Sequence, residues 1–306
     1  MRYGPHHNAA FLVTRYIFTV TAGRSGQNSL TDLLVRHVPN CYAAFEEPQL
    51  RLWSGGRLAH HERRFRRRYV ETHELLGRGR VLQAFSSGED DYIERIARRR
   101  MRAIERELRK RGSTIYVDVS KFFARGLHRG FLRLLPSISV IHLVRDPIAN
   151  MRSFMNRNKD FYLDNNAPDS LSNILKLDPS ELNRGELFLW AWCEMYLRYK
   201  ELADNPNVDV AVEIRTDELT NPERLTLLFD ALGLPHKELV VKAPMNTNVS
   251  QGYCETEIKA EDVELFRRFV ARLPEDVLNR IPYLRDHESR RSRSVVDPEG
   301  EKRFPP

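Results

Sequence analysis

Three groups of residues in this 306-residue chain combine types and spacings that could do chemistry on an anionic ligand. The first is Gly23-Arg24-Ser25-Gly26-Gln27-Asn28-Ser29, in which two glycines free to take positive φ bracket an arginine and a serine. A guanidinium beside converging backbone N–H groups suits the oxygens of a phosphate or sulfate. The second is Arg145 with Ser153 eight residues on, a cation and a hydroxyl able to grip a second anionic group. Third comes Glu46-Glu47, directly before Pro48, where either carboxylate could take a proton from a reacting hydroxyl. Two anion sites suit a ligand with phosphates at both ends. Taken singly, each group has a plainer reading: a turn that binds nothing, a surface Arg145-Asp146 ion pair, and two solvated acidic residues.

Each group needs an element to hold it. Tyr16 to Val20 is a β-branched and aromatic run that reads as a buried strand, and from Gln27 to His37 the apolar spacing becomes helical, with Leu30, Leu33 and Leu34 on one face. A strand, a glycine-containing loop and a helix N-terminus together make an anion cradle. Cys41 to Phe45 reads as a short second strand that delivers the two glutamates, and Thr114 to Val119 as a third. Ser139 to Val144 is nearly all apolar, as a strand buried on both faces should be, and it ends on Arg145. A helix from Pro147 to about Asn156, with proline in its first turn, then carries Ser153. Val208 to Ile214 reads as a fifth strand, and helical patterns run over 91–110, 186–202 and 221–232, with shorter pieces at 131–135 and between 260 and 280. Residues 158 to 183 have turn composition and are a candidate lid. Alternating strands and helices predict an α/β fold: a mostly parallel central sheet of about five strands with helices on both faces. Ligands in such sheets gather at the strand C-termini, where all three groups fall.

Composition narrows the partners. A hydrophobic fraction of 41% is ample for a core, and the net charge of +7 favours an anionic ligand, although 49 basic residues stand beside 42 acidic ones and most must be solvated. Cys41, Cys193 and Cys254 match no zinc spacing, and the first two sit in apolar segments as small core residues. Neither the histidine pairs nor the lone histidines have a metal spacing, and His142 and Trp190 with Trp192 read as core. No apolar run approaches membrane-spanning length and the first fifteen residues lack a signal-like core, so the expectation is a cytoplasmic protein with no membrane span. The organisation expected is one domain over 1–286 and a charged, disordered tail over 287–306. Within the domain, 51–111 is an arginine-rich, mostly helical insertion; one amphipathic helix there puts Ile93, Ile96, Ala97, Ile104 and Leu108 on one face and arginines on the other.

Together the two anion groups resemble the motifs of sulfotransferases that use 3′-phosphoadenosine 5′-phosphosulfate. Arg24-Ser25-Gly26 looks like that family's first motif, closer to the Arg-Ser-Gly form of bacterial and Golgi-type carbohydrate or tyrosylprotein enzymes than to the cytosolic Lys-Ser-Gly form. Arg145 and Ser153 match its second motif, with the frequent Arg-Asp-Pro. Val212 to Pro235 and the loop Met245 to Tyr253, with Asn248 and Ser250, are fainter echoes. The resemblance implies a P-loop-like sulfotransferase architecture. Residues Gly23 to Ser29 would hold the 5′-phosphosulfate, Arg145 and Ser153 the 3′-phosphate, and Asn248 and Ser250 would lie near the nucleotide. It also implies sulfuryl transfer to an acceptor hydroxyl without a metal, releasing 3′,5′-adenosine bisphosphate. Arg24 would serve the transferring group, and Glu47, slightly ahead of Glu46, would be the base. Here the family's hydroxyl pair is replaced by Gln27-Asn28, and its strand-end lysine by Val119 with Lys121 two residues on. An anionic glycan is the sharper reading of the acceptor, given the arginine-rich insertion. Two other readings remain: a P-loop kinase or NTPase, although the loop is not G-x-x-x-x-G-K-[ST], and a non-catalytic binder of acidic polymers, although no nucleic-acid module is recognisable.

Overall fold

The computed structural model describes residues 14–47, 58, 61, 65, 72–156, 172–239, 241 and 257–285. Its five strands, β1 (Arg15–Val20), β2 (Cys41–Ala44), β3 (Ile115–Asp118), β4 (Ile138–Val144) and β5 (Val208–Arg215), form one sheet in the order β2-β3-β1-β4-β5. Every pairing is parallel. All strand C-termini therefore lie on one edge, and β1 sits centrally with β3 on one side and β4 on the other. The chain leaves β1 toward one side and later crosses to the other, so the end of β1 is the switch point where such sheets bind ligands.

Strand alternation sorts the core into two layers. Ile17, Ala43, Val117, Ile141 and Ile214 face α1 (Gln27–His37) and a C-terminal helix, Pro222–Ala231. Phe18, Val20, Tyr42, Tyr116 and Val140 face the opposite way, onto a long helix Asp90–Arg111, a shorter one Leu127–Leu134, and part of the helix Arg184–Ala203. Among the described residues, and apart from the single turn Thr72–Leu75, the helices in chain order are α1, α2 (Arg80–Ser87), α3 (Asp90–Arg111), α4 (Leu127–Leu134), α5 (Pro147–Met155), α6 (Arg184–Ala203), α7 (Pro222–Ala231), α8 (Ala260–Val270) and α9 (Glu275–Arg280). A third cluster packs α5 against α6, α8 and α9. Trp190, Trp192, Cys193 and His142 are buried core residues, as their apolar contexts predict, while Cys41 is half-buried. His142 is satisfied by Glu213, 2.8 Å from its Nδ1.

Two local features place the site. Phe18 on β1 stacks on Phe123 at 4.2 Å and tilts against Phe131 at 4.8 Å, which clamps the turn Phe123–Arg125 beneath the sheet edge. Aromatic pairs of this kind contribute about 0.5–1.5 kcal/mol each beyond burial. At the start of α5, Asp146 caps the helix by accepting from Ala149 N at 2.9 Å, and Pro147 occupies the first turn. Asp146 is thus a helix cap, which points Arg145 back toward β1. The amphipathic helix expected at 91–110 is α3, with one departure: Arg100 lies in its apolar stripe and is 1% exposed. It is four residues from both Ile96 and Ile104, so helical geometry puts it on the buried face. Among the described residues no helix is long and apolar enough to cross a membrane. The tail beyond 286 and the Asn248 and Ser250 positions lie outside the described residues, as does most of the candidate lid.

Candidate anion-binding and catalytic site

The loop between β1 and α1 is held by its carbonyls. Ala22 O accepts from Arg125 Nη2 (3.1 Å), Gly23 O from Asn150 Nδ2 (2.9 Å), Arg24 O from Arg145 Nη1 (3.2 Å) and Ser25 O from Thr216 Oγ1 (2.9 Å). The four donors come from the β3–α4 turn, α5, the end of β4 and the end of β5. In a trans peptide the N–H of the next residue points opposite to the carbonyl. Tying back four successive carbonyls therefore aims the N–H groups of Arg24, Ser25 and Gly26 to the other side, while that of Gly23 donates to Thr21 Oγ1 at 3.2 Å. This is the geometry of an anion nest.

The backbone confirms the curl. Gly23, Arg24 and Gly26 have φ of 90, 62 and 84°. Glycine is required at the two ends for space as well: a Cβ on Gly23 would meet Lys121 Cδ at 3.0 Å, and one on Gly26 would meet Thr216 Cγ2 at 3.0 Å. Arg24 adopts a left-handed conformation at a cost on the order of 1–2 kcal/mol. Gly26 then caps α1 without a side chain, and the first turn holds no acidic residue, so its N–H groups and dipole favour an anion. Gln27, 7% exposed, has its Nε2 buried without a hydrogen-bond partner among the described residues, a donor left over beside the cradle. Donors of this kind suit an oxyanion.

Cations surround the loop. Burial lowers the Arg145 pKa, with Asp146 opposing, and Trp192 Nε1 fixes the Arg145 carbonyl at 3.1 Å. Ser153, buried, lies two turns along α5 from it. On the opposite flank Lys121 lies over Gly23. Arg125 is 1% exposed; burial pulls its pKa down to about 9, Arg198 and Arg78 add to the effect, and Glu46 opposes it.

The two glutamates have different surroundings. Glu47 accepts a short hydrogen bond from Tyr42 Oη, back along β2, while its carbonyl accepts from Arg100 Nη2 at 3.1 Å. Glu46 sits in a left-handed conformation, φ 48°, and its charge acts on Asp118 and Arg125. Among the described residues three non-glycines have positive φ, and two of them are Arg24 and Glu46, a concentration of strain typical of functional positions. Beneath them Arg100 Nη2 bonds Asp118 Oδ2 at 2.6 Å, both side chains almost wholly buried. Burial, with Glu46 and Glu47 adding, pushes the Asp118 carboxyl up to about 6 against the pull of Arg100. Asp118 Oδ1 has no hydrogen-bond partner among the described residues.

The structure thus brings together Gly23 to Ser29, Arg145, Glu46 and Glu47 at one sheet edge, with Ser153 on the adjoining helix. Asn150, Thr216, Arg125 and the Arg100–Asp118 pair take part without any motif having marked them. Asn150 left a faint trace, since asparagine is a poor residue for a helix interior unless its side chain has work elsewhere. No protein-family model matches the chain, and no characterised protein matches it in sequence.

Proposed function

We propose that this chain is a sulfotransferase that moves a sulfuryl group from 3′-phosphoadenosine 5′-phosphosulfate to an acceptor hydroxyl. The observation that carries the reading is the bond from Arg145 to the Arg24 carbonyl, which joins the two anion motifs into one site. A donor with phosphates at both ends needs that juxtaposition. Residues 23–29 would hold its 5′ end through backbone N–H groups, and Arg145 with Ser153 its 3′-phosphate. The donor would supply an activated sulfuryl group; the chain's own residues position, neutralise and remove a proton. Arg24 would offset charge at the transferring group, since catalysis of such displacements is mainly positioning and electrostatics. Glu46 would be the better base, because the Glu47 carboxylate already accepts from Tyr42 Oη. The resemblance would also put Asn248 and Ser250, which lie outside the described residues, near the nucleotide, and a metal is not required by this reading. A cytoplasmic location is part of the same proposal.

One observation favours a P-loop kinase instead. Asp118 ends the strand beside the loop, where phosphoryl-transfer enzymes of that kind carry a magnesium-orienting Asp, and one of its oxygens has no partner. Its other oxygen is held by Arg100 in a fully buried pair, which weakens that role. Incubating the protein with sulfuryl-labelled donor and an acceptor library, and following release of 3′,5′-adenosine bisphosphate, decides between them. Label transfer abolished in Arg24→Ala is expected; γ-phosphoryl transfer from ATP, without sulfuryl transfer, would favour the kinase.

A further inference from the structure

Glu46, the favoured base, stands beyond the end of β2 and holds a left-handed backbone, φ 48°. A non-glycine residue keeps such a conformation only where its surroundings over-determine it. Two anchors bracket it. On one side Ala44 O accepts from Val119 N at 2.9 Å, and on the other Glu47 O accepts from Arg100 Nη2 at 3.1 Å. The guanidinium that supplies the second anchor also donates through Nη1 to Leu75 O at 2.9 Å and through Nη2 to Asp118 Oδ2 at 2.6 Å. One rigid, planar fork thus sets three segments relative to one another: the turn Thr72–Leu75, the exit of β2 and the end of β3.

Asp118 carries the arrangement on toward the anion loop. It pairs in register with Phe18 on β1, and its carbonyl accepts from Thr19 Oγ1 at 2.9 Å, just before β1 gives way to the cradle. The separation between Glu46 and the cradle is therefore set across the Arg100–Asp118 pair. Stability does not explain the pair. Its side chains are 1% and 0% exposed, and Asp118 Oδ1 has no hydrogen-bond partner among the described residues. Apolar residues of similar volume often serve a buried site as well or better. What a charge-assisted hydrogen bond adds is direction.

We propose that Arg100 and Asp118 are positioning residues, which hold the exit of β2 so that the Glu46 carboxylate faces the reacting group in the cradle. The inference rests on the sulfuryl-transfer reading and adds to it what places the base. Reaction rates are sensitive to such placement: an error of about 1 Å costs on the order of 100-fold.

The test uses two changes in the full chain. Arg100→Met combined with Asp118→Leu replaces both charges by apolar side chains, and Arg100→Lys keeps the ion pair but loses the fork. Each is made with Glu46 intact and with Glu46→Gln. Release of 3′,5′-adenosine bisphosphate from the sulfuryl donor is followed with 4-nitrophenol, methyl glucoside, N-acetyltyrosinamide and water as acceptor probes, and calorimetric titration gives the affinity for the bisphosphate. The paired variant should bind the bisphosphate as wild type does, melt within several degrees of it, and turn over roughly 10–100-fold more slowly. Arg100→Lys should lose at least about threefold. Neither change should slow Glu46→Gln further, because a misplaced base and a missing one act on the same step. Wild-type turnover in the paired variant, or in Arg100→Lys should the paired variant not fold, overturns the positioning role while sulfuryl transfer stands. So do losses that multiply with that of Glu46→Gln, wild-type turnover in Glu46→Gln itself, or lost bisphosphate affinity, which would assign the pair to the donor loop. A wild type that binds no bisphosphate, or releases none from the donor with any probe, rejects the sulfuryl-transfer reading and this inference with it.

Discussion

Replacing Asn150 by alanine should loosen the loop without touching any residue expected to meet the ligand. Asn150 donates to Gly23 O at 2.9 Å and accepts from Ser25 Oγ at 3.1 Å. The serine hydroxyl keeps a second acceptor in Gly23 O at 3.3 Å, so the main loss is the amide donor to a buried carbonyl. Gly23 O keeps that hydroxyl as a donor, so the cost is that of one lost hydrogen bond, about 0.5–1.5 kcal/mol; about 1 kcal/mol corresponds to a fall in Tm of roughly 2 °C in a chain this long. The Gly23 carbonyl and the Arg24 N–H share one peptide plane, so the same substitution frees that N–H from its aimed position. Affinity for 3′,5′-adenosine bisphosphate should drop about tenfold, which is about 1.4 kcal/mol. Asn150→Asp should do worse, because it keeps the acceptor for Ser25 but sets a negative charge against the Gly23 carbonyl and behind the anion. Differential scanning fluorimetry and calorimetric titration read the two effects. An Asn150→Ala protein with wild-type Tm and affinity, or an Asn150→Asp protein that binds as well as wild type, would refute the claim that tied-back carbonyls build the cradle.

Three further outcomes follow from the same geometry. Arg24→Gly and Arg24→Ala both remove the guanidinium, but at φ 62° glycine should be the more stable by about 1 kcal/mol; the reverse order in thermal melts would mean that the backbone is not left-handed there. Arg100→Met or Asp118→Asn alone should destabilise by roughly 3–5 kcal/mol through an unpaired buried group, whereas Arg100→Met combined with Asp118→Leu should recover much of it in urea melts; additive losses would contradict the pairing. Glu46→Gln should lower turnover roughly 10²–10⁴-fold with donor affinity kept, and Glu47→Gln should cost less. Wild-type turnover in the double glutamine variant would remove both carboxylates from the mechanism.

The parts of this molecule visible in its sequence are those set by short-range pattern. The start of α1 at Gln27 and its end at His37 were readable because a glycine pair, a leucine stripe and Pro39 bracket them. β4 was readable because a strand covered on both faces has no polar alternation to confuse it. What stayed hidden depends on distant partners. Arg100 reads as one more arginine in a run of them until Asp118, eighteen residues away, meets it across the α3–β3 contact. The hydrogen bond that sets the Glu47 carboxylate apart from that of Glu46 comes from Tyr42, five residues back, which neighbouring residue types alone do not determine. Thr216 is one threonine among several at a strand end, and only the parallel register brings it against the Ser25 carbonyl. Lys121 stands three residues past the end of β3, yet the β1–β3 pairing carries it over Gly23.

The central claim, one site for a ligand phosphorylated at both ends, is tested most directly by thermal shift with 3′,5′-adenosine bisphosphate, ADP with magnesium, and AMP. A ligand at about 100 times its Kd stabilises by roughly 2.7 kcal/mol, a shift of several degrees for this chain. The account predicts that shift with the bisphosphate alone, and its loss in Arg145→Ala. A shift with ADP and magnesium but not with the bisphosphate, or a bisphosphate shift that survives Arg145→Ala undiminished, would contradict it.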